Sequence, residues 1–248
     1  MHKARFASAI IIVFASLSGL YAEPLSFACD VYPPFQIQRG ASLSGYSVDL
    51  IRAVADIAGI SIKSIESFPW KRVLASIESA SVDGVFSIGI TEERKKIGRF
   101  PSEPLIMTPW VIWADSKSKL AYSGFESLKG KKIGVVSGYS YTPEFWSYIK
   151  TNSAIVESND DSILFKQLSG GRVDFIVAEY GNGLDLLGNL SITSVKAFLD
   201  NPVKTDGLYL MFSAKRVDDV TVKKFDEALK GFKNTSQYKE LYRRYFGQ

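Results

Sequence analysis

Histidine is nearly absent from this 248-residue chain: its one copy, His2, stands at the second position. Nucleophilic catalysis by a Ser-His-Asp or Cys-His set needs an imidazole base within a folded domain, and His-ligated zinc needs the same ring, so both are excluded. Cysteine is equally scarce. The single Cys29 excludes an internal disulfide, and its apolar setting makes it a small core residue. No G-x-G-x-x-G occurs, and no apolar run reaches the roughly 18 residues expected of a membrane span. Charge is balanced, with 30 Lys and Arg against 26 Asp and Glu and a formal net charge of +4. Without a long basic run, that balance excludes a nucleic-acid partner. No internal repeat or low-complexity tract interrupts the chain. No metal and no cofactor is expected.

What is present begins with an export signature. His2, Lys3 and Arg5 precede an apolar segment, Phe6 to Leu20, of about 15 residues, and "LYAEP" offers cleavage after Ala22. Ser26, Phe27 and Ala28 before Cys29 do not form a lipobox, so no lipid anchor is expected. Removing residues 1–22 takes Lys3 and Arg5 and lowers the net charge to about +2. The mature chain is expected to be a free, exported monomer with room for one large domain or two small lobes.

From Leu25 the hydrophobic period switches repeatedly between two and 3.6 residues. Strands are predicted at 25–31, 61–67 and 84–89, with helices at 47–60 and 70–80. "KKIGVVSG" (131–138) restarts the pattern: helix 142–151, strand 153–157, helix 161–169, strand 173–178. Such alternation implies βαβ units and mostly parallel sheets. The Ser-, Gly- and Lys-rich stretch 113–130 separates the two sets. A strand at 207–215 and helices at 217–235 and 236–247 follow, and they either cap the second set or return to the first.

Ligands of open α/β sheets bind beyond the carboxyl ends of the strands, so the strand exits hold the candidate residues. Arg94 follows strand 84–89 in "GITEERKK". It is either the solvated start of a helix capped by Thr91, or a guanidinium facing a cleft, where its fork matches a carboxylate. Glu179 ends strand 173–178 ahead of a "GNG" turn, as a cap or as an acceptor for an ammonium. Tyr32, stiffened by Pro33 and Pro34, and Trp70 are either half-buried core rings or the apolar walls of a cleft. "SGYSY" (137–141) turns into a helix and presents main-chain N–H groups to an anion, but lacks the lysine of a Walker loop.

Six segments, "YPPF", "GYSVDLIRAVAD", "PWKRVLASIESASVDGVFS", "TEERKK..RFPSEPL", "SLKGKKIGVVSG" and "GGRVDFIVAE", together resemble, in order and spacing, the bacterial extracellular solute-binding proteins of family 3. These are the periplasmic binding proteins of polar amino-acid ABC transporters. The resemblance covers essentially the whole mature chain. It implies a two-lobed periplasmic binding protein fold of type II, an α/β architecture of two mostly parallel sheets with flanking helices, joined by a two-segment hinge. Lobe 1 would comprise 23–112 with 213–248 and lobe 2 would comprise 113–212, with crossings near 111–117 and 207–213. The resemblance further implies that Arg94 clamps a ligand carboxylate, Glu179 takes its amino group, and Tyr32 and Trp70 form walls. Ser87, Gly89, Gly138 and Ser140 would complete the site. Two departures stand out: the family's usual Asp is Glu179 here, and the stretch between Asp83 and Arg94 is one residue short.

The implied role is non-enzymatic: periplasmic capture of a small carboxylate-bearing solute for an inner-membrane permease. Two alternatives use the same fold. A cyclohexadienyl dehydratase-like enzyme would need a general acid, for which Glu179 and Glu103 are the candidates. A soluble sensory protein would pass its ligand signal to a separate receptor.

Overall fold

The computed structural model describes residues 23–247, so the leader assigned to 1–22 lies outside the described residues. The first half of the chain runs β1 (Leu25–Cys29), a small hairpin of β2 (Ile37–Arg39) and β3 (Ser42–Ser44), and α1 (Tyr46–Ile57). Then come β4 (Ile62–Ser67), α2 (Trp70–Glu78), β5 (Gly84–Ile88), the one-turn α3 (Glu92–Lys95), β6 (Gly98–Arg99) and β7 (Ile106–Asp115). A 3-10 turn at Phe125–Leu128 leads to β8 (Lys132–Val136), α4 (Pro143–Asn152), β9 (Ala154–Ser158) and α5 (Asp161–Ser169). After these lie β10 (Phe175–Glu179), α6 (Tyr180–Asn189), β11 (Val195–Phe198), β12 (Lys204–Ser213), α7 (Asp219–Lys233) and α8 (Ser236–Phe246).

The strands follow the order β4-β1-β5-β12-β7-β10-β8-β9. β1 pairs in parallel with β4 and β5, and β8 pairs in parallel with β9 and β10. These are the two sets of βαβ units that the periodicity predicts. The antiparallel pairs join them. β12 runs beside β5 through Tyr209–Phe212 and beside β7 through Lys204–Leu208, while β7 continues beside β10 through Trp110–Trp113. The result is a two-lobed molecule in which two long strands pass from one sheet into the other.

Two sequence expectations change, and one open alternative is decided. The stretch from residue 113 is not loop at its start, because β7 continues through buried Trp113 and Ala114 to Asp115. The "GNG" segment is the first turn of α6 rather than a flexible turn, since Glu179 accepts the free N–H groups of Gly181 and Asn182. A side chain at Gly183 would collide with the Trp113 ring, so glycine lets this helix lie close on β7. The alternative left open for the last two helices is decided: α7 and α8 pack on the first half, where the resemblance puts them. Tyr46 of α1 sits edge-to-face against Tyr242, Tyr245 and Phe246, and Tyr245 donates to Asp49 at 2.6 Å. Lys233 of α7 donates to Glu103 at 2.6 Å.

Tyr46 is fully buried; its hydroxyl donates to the Leu105 carbonyl at 3.1 Å and lies 3.0 Å from the Tyr238 hydroxyl. Tyr46→Phe keeps the ring contacts but strands the carbonyl, so it should cost about 1–3 kcal/mol of stability. Urea unfolding of the two proteins measures this. An unchanged midpoint would mean that water replaces the hydroxyl.

Candidate functional site

The carboxyl ends of β1, β5 and β8 converge on a cleft between the lobes. β5 is buried along its length, and its exit is shaped by a bulge. Tyr209 and Leu210 of β12 face Ile88 and Phe86, which leaves Ser87 as the extra residue, at φ 55°. That conformation is costly for a residue with a Cβ. It is held by side-chain bonds: the Ser87 hydroxyl accepts from Gln36 and donates to Ser47 at 3.0 Å. The bulge turns the chain so that Gly89 and α3 reach the cleft.

α3 delivers Arg94. Thr91 caps its N-terminus by accepting from the Arg94 N–H at 3.2 Å, as the sequence predicts. The guanidinium then bridges the lobes. Nη1 donates to the Gly89 carbonyl at 2.8 Å and Nη2 to the Gly138 carbonyl at 3.0 Å, and its carbon lies 5.7 Å from the Trp70 ring centre. Among the described residues, no carboxylate lies within ion-pair distance of it. Partial burial lowers its pKa to about 10, which still leaves it charged at neutral pH.

From the second lobe, the turn after β8 brings Gly138, Tyr139 and Ser140 against this group. Gly138 has φ 81°, and a Cβ there would lie 3.2 Å from Trp70 Nε1. That nitrogen donates to the Gly138 carbonyl at 3.2 Å. A Cβ on Gly89 would overlap the Ser140 hydroxyl, so the two turns meet only because one residue is glycine. Tyr32 is buried and stacks on Phe35. The structure therefore brings Tyr32, Trp70, Ser87, Gly89, Arg94, Gly138 and Ser140 together.

Glu179 is placed differently. Its carboxylate accepts from Thr108 Oγ1, from Gly181 N at 2.8 Å and from Asn182 N at 2.6 Å, and it is 1% exposed. It does not line the cleft cavities at Arg94 or on the other side of Tyr139. One methylene longer than aspartate, it folds back to cap α6 and to tie that helix to β7. Burial raises its pKa. Glu103, on the face where α7 packs, is engaged by Lys233.

The acids on the cleft walls are Asp30 and Asp161, neither of which sequence reasoning singled out. Asp30 follows β1 directly, two residues before Tyr32. Asp161 was hidden in the pair "DD". Asp160 is the N-cap of α5, accepting from Ile163 N at 3.0 Å, which frees Asp161 to turn inward, where it accepts from the Tyr139 hydroxyl at 3.1 Å. Trp110 of β7 was also missed; its ring packs edge-to-face on Tyr139. Among the described residues, no group of three or more His, Cys, Asp or Glu is arranged to hold a metal ion.

Two lobes joined by paired strands, with charged and aromatic groups converging at their interface, define the class of hinged solute-binding proteins. The chain matches the bacterial extracellular solute-binding proteins, family 3, over residues 25–248, and belongs to that family. It is 28% identical to an arginine-binding periplasmic protein of Mannheimia haemolytica, over 96% of this chain and 97% of that one. It is 27% identical to the arginine-binding extracellular protein ArtP of Bacillus subtilis, over 87% and 82% of the two chains. A solved ancestral arginine-binding protein bound to arginine superposes with a TM-score of 0.79 at 24% identity, covering 92% of this chain and all of that one. The type II fold expected from the sequence is thus observed.

Asp30 is 9% exposed, and burial pushes its pKa up to about 7. Unfolded, it ionises near 3.8. Between those values the folded state binds the extra proton, so the ligand-free protein should lose stability as pH rises from about 4 to about 7. Asp161 and Glu179, also raised by burial, act in the same direction. Asp30→Asn should therefore raise the melting temperature more at pH 8 than at pH 5. Equal shifts at both would show that Asp30 is ionised throughout.

Proposed function

We propose that this protein captures a small carboxylate-bearing solute, most simply an amino acid, in the interlobe cleft and delivers it to an inner-membrane ABC permease. The observation that carries this reading is Arg94: a partly desolvated guanidinium at the cleft, held by two main-chain carbonyls from opposite lobes and lacking a carboxylate partner among the described residues. Such a group is a vacant half of a bidentate ion pair. Tyr32 and Trp70 supply the walls, and Gly89, Gly138 and Ser140 supply the small, close-fitting turns. The relatives named above are binding proteins of periplasmic or extracellular location, which supports the same role and location here.

The hinge falls where the two lobes share β7 and β12, and the β7–β12 ladder over 106–110 and 204–208 supports crossings there and in the strand segments that follow. With Trp110–Trp113 paired to β10 and Tyr209–Phe212 paired to β5, we place the lobe division near 110 and 208, a few residues before the bounds of 112 and 213 that the resemblance implies. The dehydratase alternative has less support: Glu179 is saturated by three donors and Glu103 is paired with Lys233, so neither is free to act as a general acid. Recognition of a ligand cation falls instead to Asp30 and Asp161.

A thermal-shift screen of amino acids, amines and small organic acids identifies the ligand, and calorimetric titration then tests the clamp. Arg94→Ala should cost about 3–5 kcal/mol of binding, or two to four decades of affinity. Arg94→Lys should recover only part, because an ammonium lacks the fork. Equal affinity in all three proteins would reduce Arg94 to the start of a helix.

A further inference from the structure

Tyr139 stands at the centre of the cleft rather than on its wall. It projects from the turn after β8 in the second lobe and is ringed by aromatic groups from the loop after β1, from α2 and from β7. Its ring lies edge-to-face against Tyr32 at 6.2 Å, Trp70 at 5.7 Å and Trp110 at 5.5 Å. It lines three separate spaces. One is a remnant of about 20 Å³ beside Arg94, the size of a single water. The second, of about 540 Å³, opens between α2, α3 and the turn. The third is a chamber of about 450 Å³ on the far side of the ring from Arg94. The volume adjoining the carboxylate-binding group is thus occupied by the protein's own side chain.

The far chamber is one-sided chemically. Asp30, Asp160 and Asp161 line it, and no lysine or arginine does among the described residues. Three polar atoms of its lining residues are buried without a hydrogen-bond partner: Asp161 Oδ1, Asn182 Oδ1 and the Tyr32 hydroxyl. Their residues are 3%, 1% and 4% exposed. Buried polar atoms are ordinarily satisfied, so three orphans around one cavity mark an absent partner. Two of the three accept only, so that partner must bring N–H donors. With the surrounding carboxylates, a positively charged donor fits best. The one donor Asp161 already has is the Tyr139 hydroxyl.

We infer that Tyr139 competes with the ligand for this cleft, while Asp161 behind it sets the preference for a cationic end. Its ring holds the ligand's place, its hydroxyl stands in for a ligand donor on Asp161, and a ligand enters by replacing that hydroxyl with an ammonium or guanidinium. A neutral ligand displaces the same ring but leaves Asp161 buried without a donor. The device therefore selects for a second, cationic end on a molecule whose first end is a carboxylate. This inference rests on the reading of the cleft as a ligand site.

The test titrates L-arginine and L-lysine, with L-citrulline and L-norleucine as neutral isosteres, into wild type, Tyr139→Phe, Tyr139→Ala, Asp161→Asn and Arg94→Ala. Tyr139→Phe keeps the ring but gives up the competing hydrogen bond. It should tighten every probe that displaces the ring by about tenfold, the scale of a hydrogen bond to a charged group, and leave the ratio of cationic to neutral affinities unchanged. Tyr139→Ala should tighten all four, and Asp161→Asn should abolish the cationic preference. If wild type binds none of the probes, Tyr139→Ala is expected to bind the cationic pair, since the obstacle is gone. Unchanged or weaker binding of the cationic probes in both Tyr139 variants overturns the inference, as does absence of binding in every protein. Retained affinity in Arg94→Ala, with tightening in the Tyr139 variants, would refute the carboxylate clamp while leaving the role of Tyr139 intact.

Discussion

The pairing of β7 with β12 is the constraint on which the rest of the molecule depends. Each lobe builds three strands from its own βαβ units, and each completes its sheet with a strand that also belongs to the other. β12 gives its last residues to β5 and its first to β7, and β7 gives its last residues to β10. The lobes therefore cannot separate without breaking main-chain hydrogen bonds, but they can rotate about two strands. The same strands also reach the cleft. Trp110 of β7 and Leu208 of β12 line the space at Arg94, and Thr108 of β7 binds the carboxylate that caps α6. Any rotation at the ladder thus moves the cleft walls with it, which is how a local twist becomes closure over a ligand.

The fold was largely legible because its signals are local. Apolar periodicity placed β1, α1, β4, α2, β5, β8, α4, β9, α5 and β10 to within a few residues of where they lie. What was lost depended on contacts between distant segments. α6 begins "YGNG", a poor helical sequence whose first turn is held by the side chain of Glu179 and whose glycine is needed for close packing on Trp113. β7 runs into a Ser- and Lys-rich stretch, and its end is secured only by pairing with β10 and β11. Local composition speaks against both elements, and tertiary pairing overrides it.

The site divides in the same way. Arg94 could be placed at a strand exit from its own sequence, which left a solvated helix start and a cleft guanidinium both open; the family resemblance is what favoured the second. Glu179 stood at the right strand exit, yet whether an acid there faces a helix N-terminus or a cleft depends on one methylene and on a threonine 71 residues away. Asp161 was masked by its neighbour Asp160, because either member of the pair could cap α5. Tyr139 was passed over between Gly138 and Ser140, since small residues in a turn are recognisable by what they permit. A large residue there shows its role only through the rings that surround it.

The placement of charge across Tyr139 explains why those groups do not simply neutralise one another. Arg94 lies on one side of the ring, held by carbonyls, while Asp161 lies on the other with no cation beside it, and Asp30 borders both spaces without pairing with Arg94. An arginine paired directly with either acid would make a buried salt bridge, self-contained and indifferent to any ligand. Separated by an aromatic spacer, both charges bear part of their desolvation cost without the compensating Coulomb attraction. The raised pKa of Asp30 and the lowered pKa of Arg94 are two expressions of that cost. On the proposed reading, a ligand with a negative end and a positive end relieves both at once, and Arg94 and Asp161 can share one ligand only when the lobes are together. The free energy that favours closure with ligand over closure without it then arises from differential interaction with the closed state, which is what a ligand-driven conformational change requires.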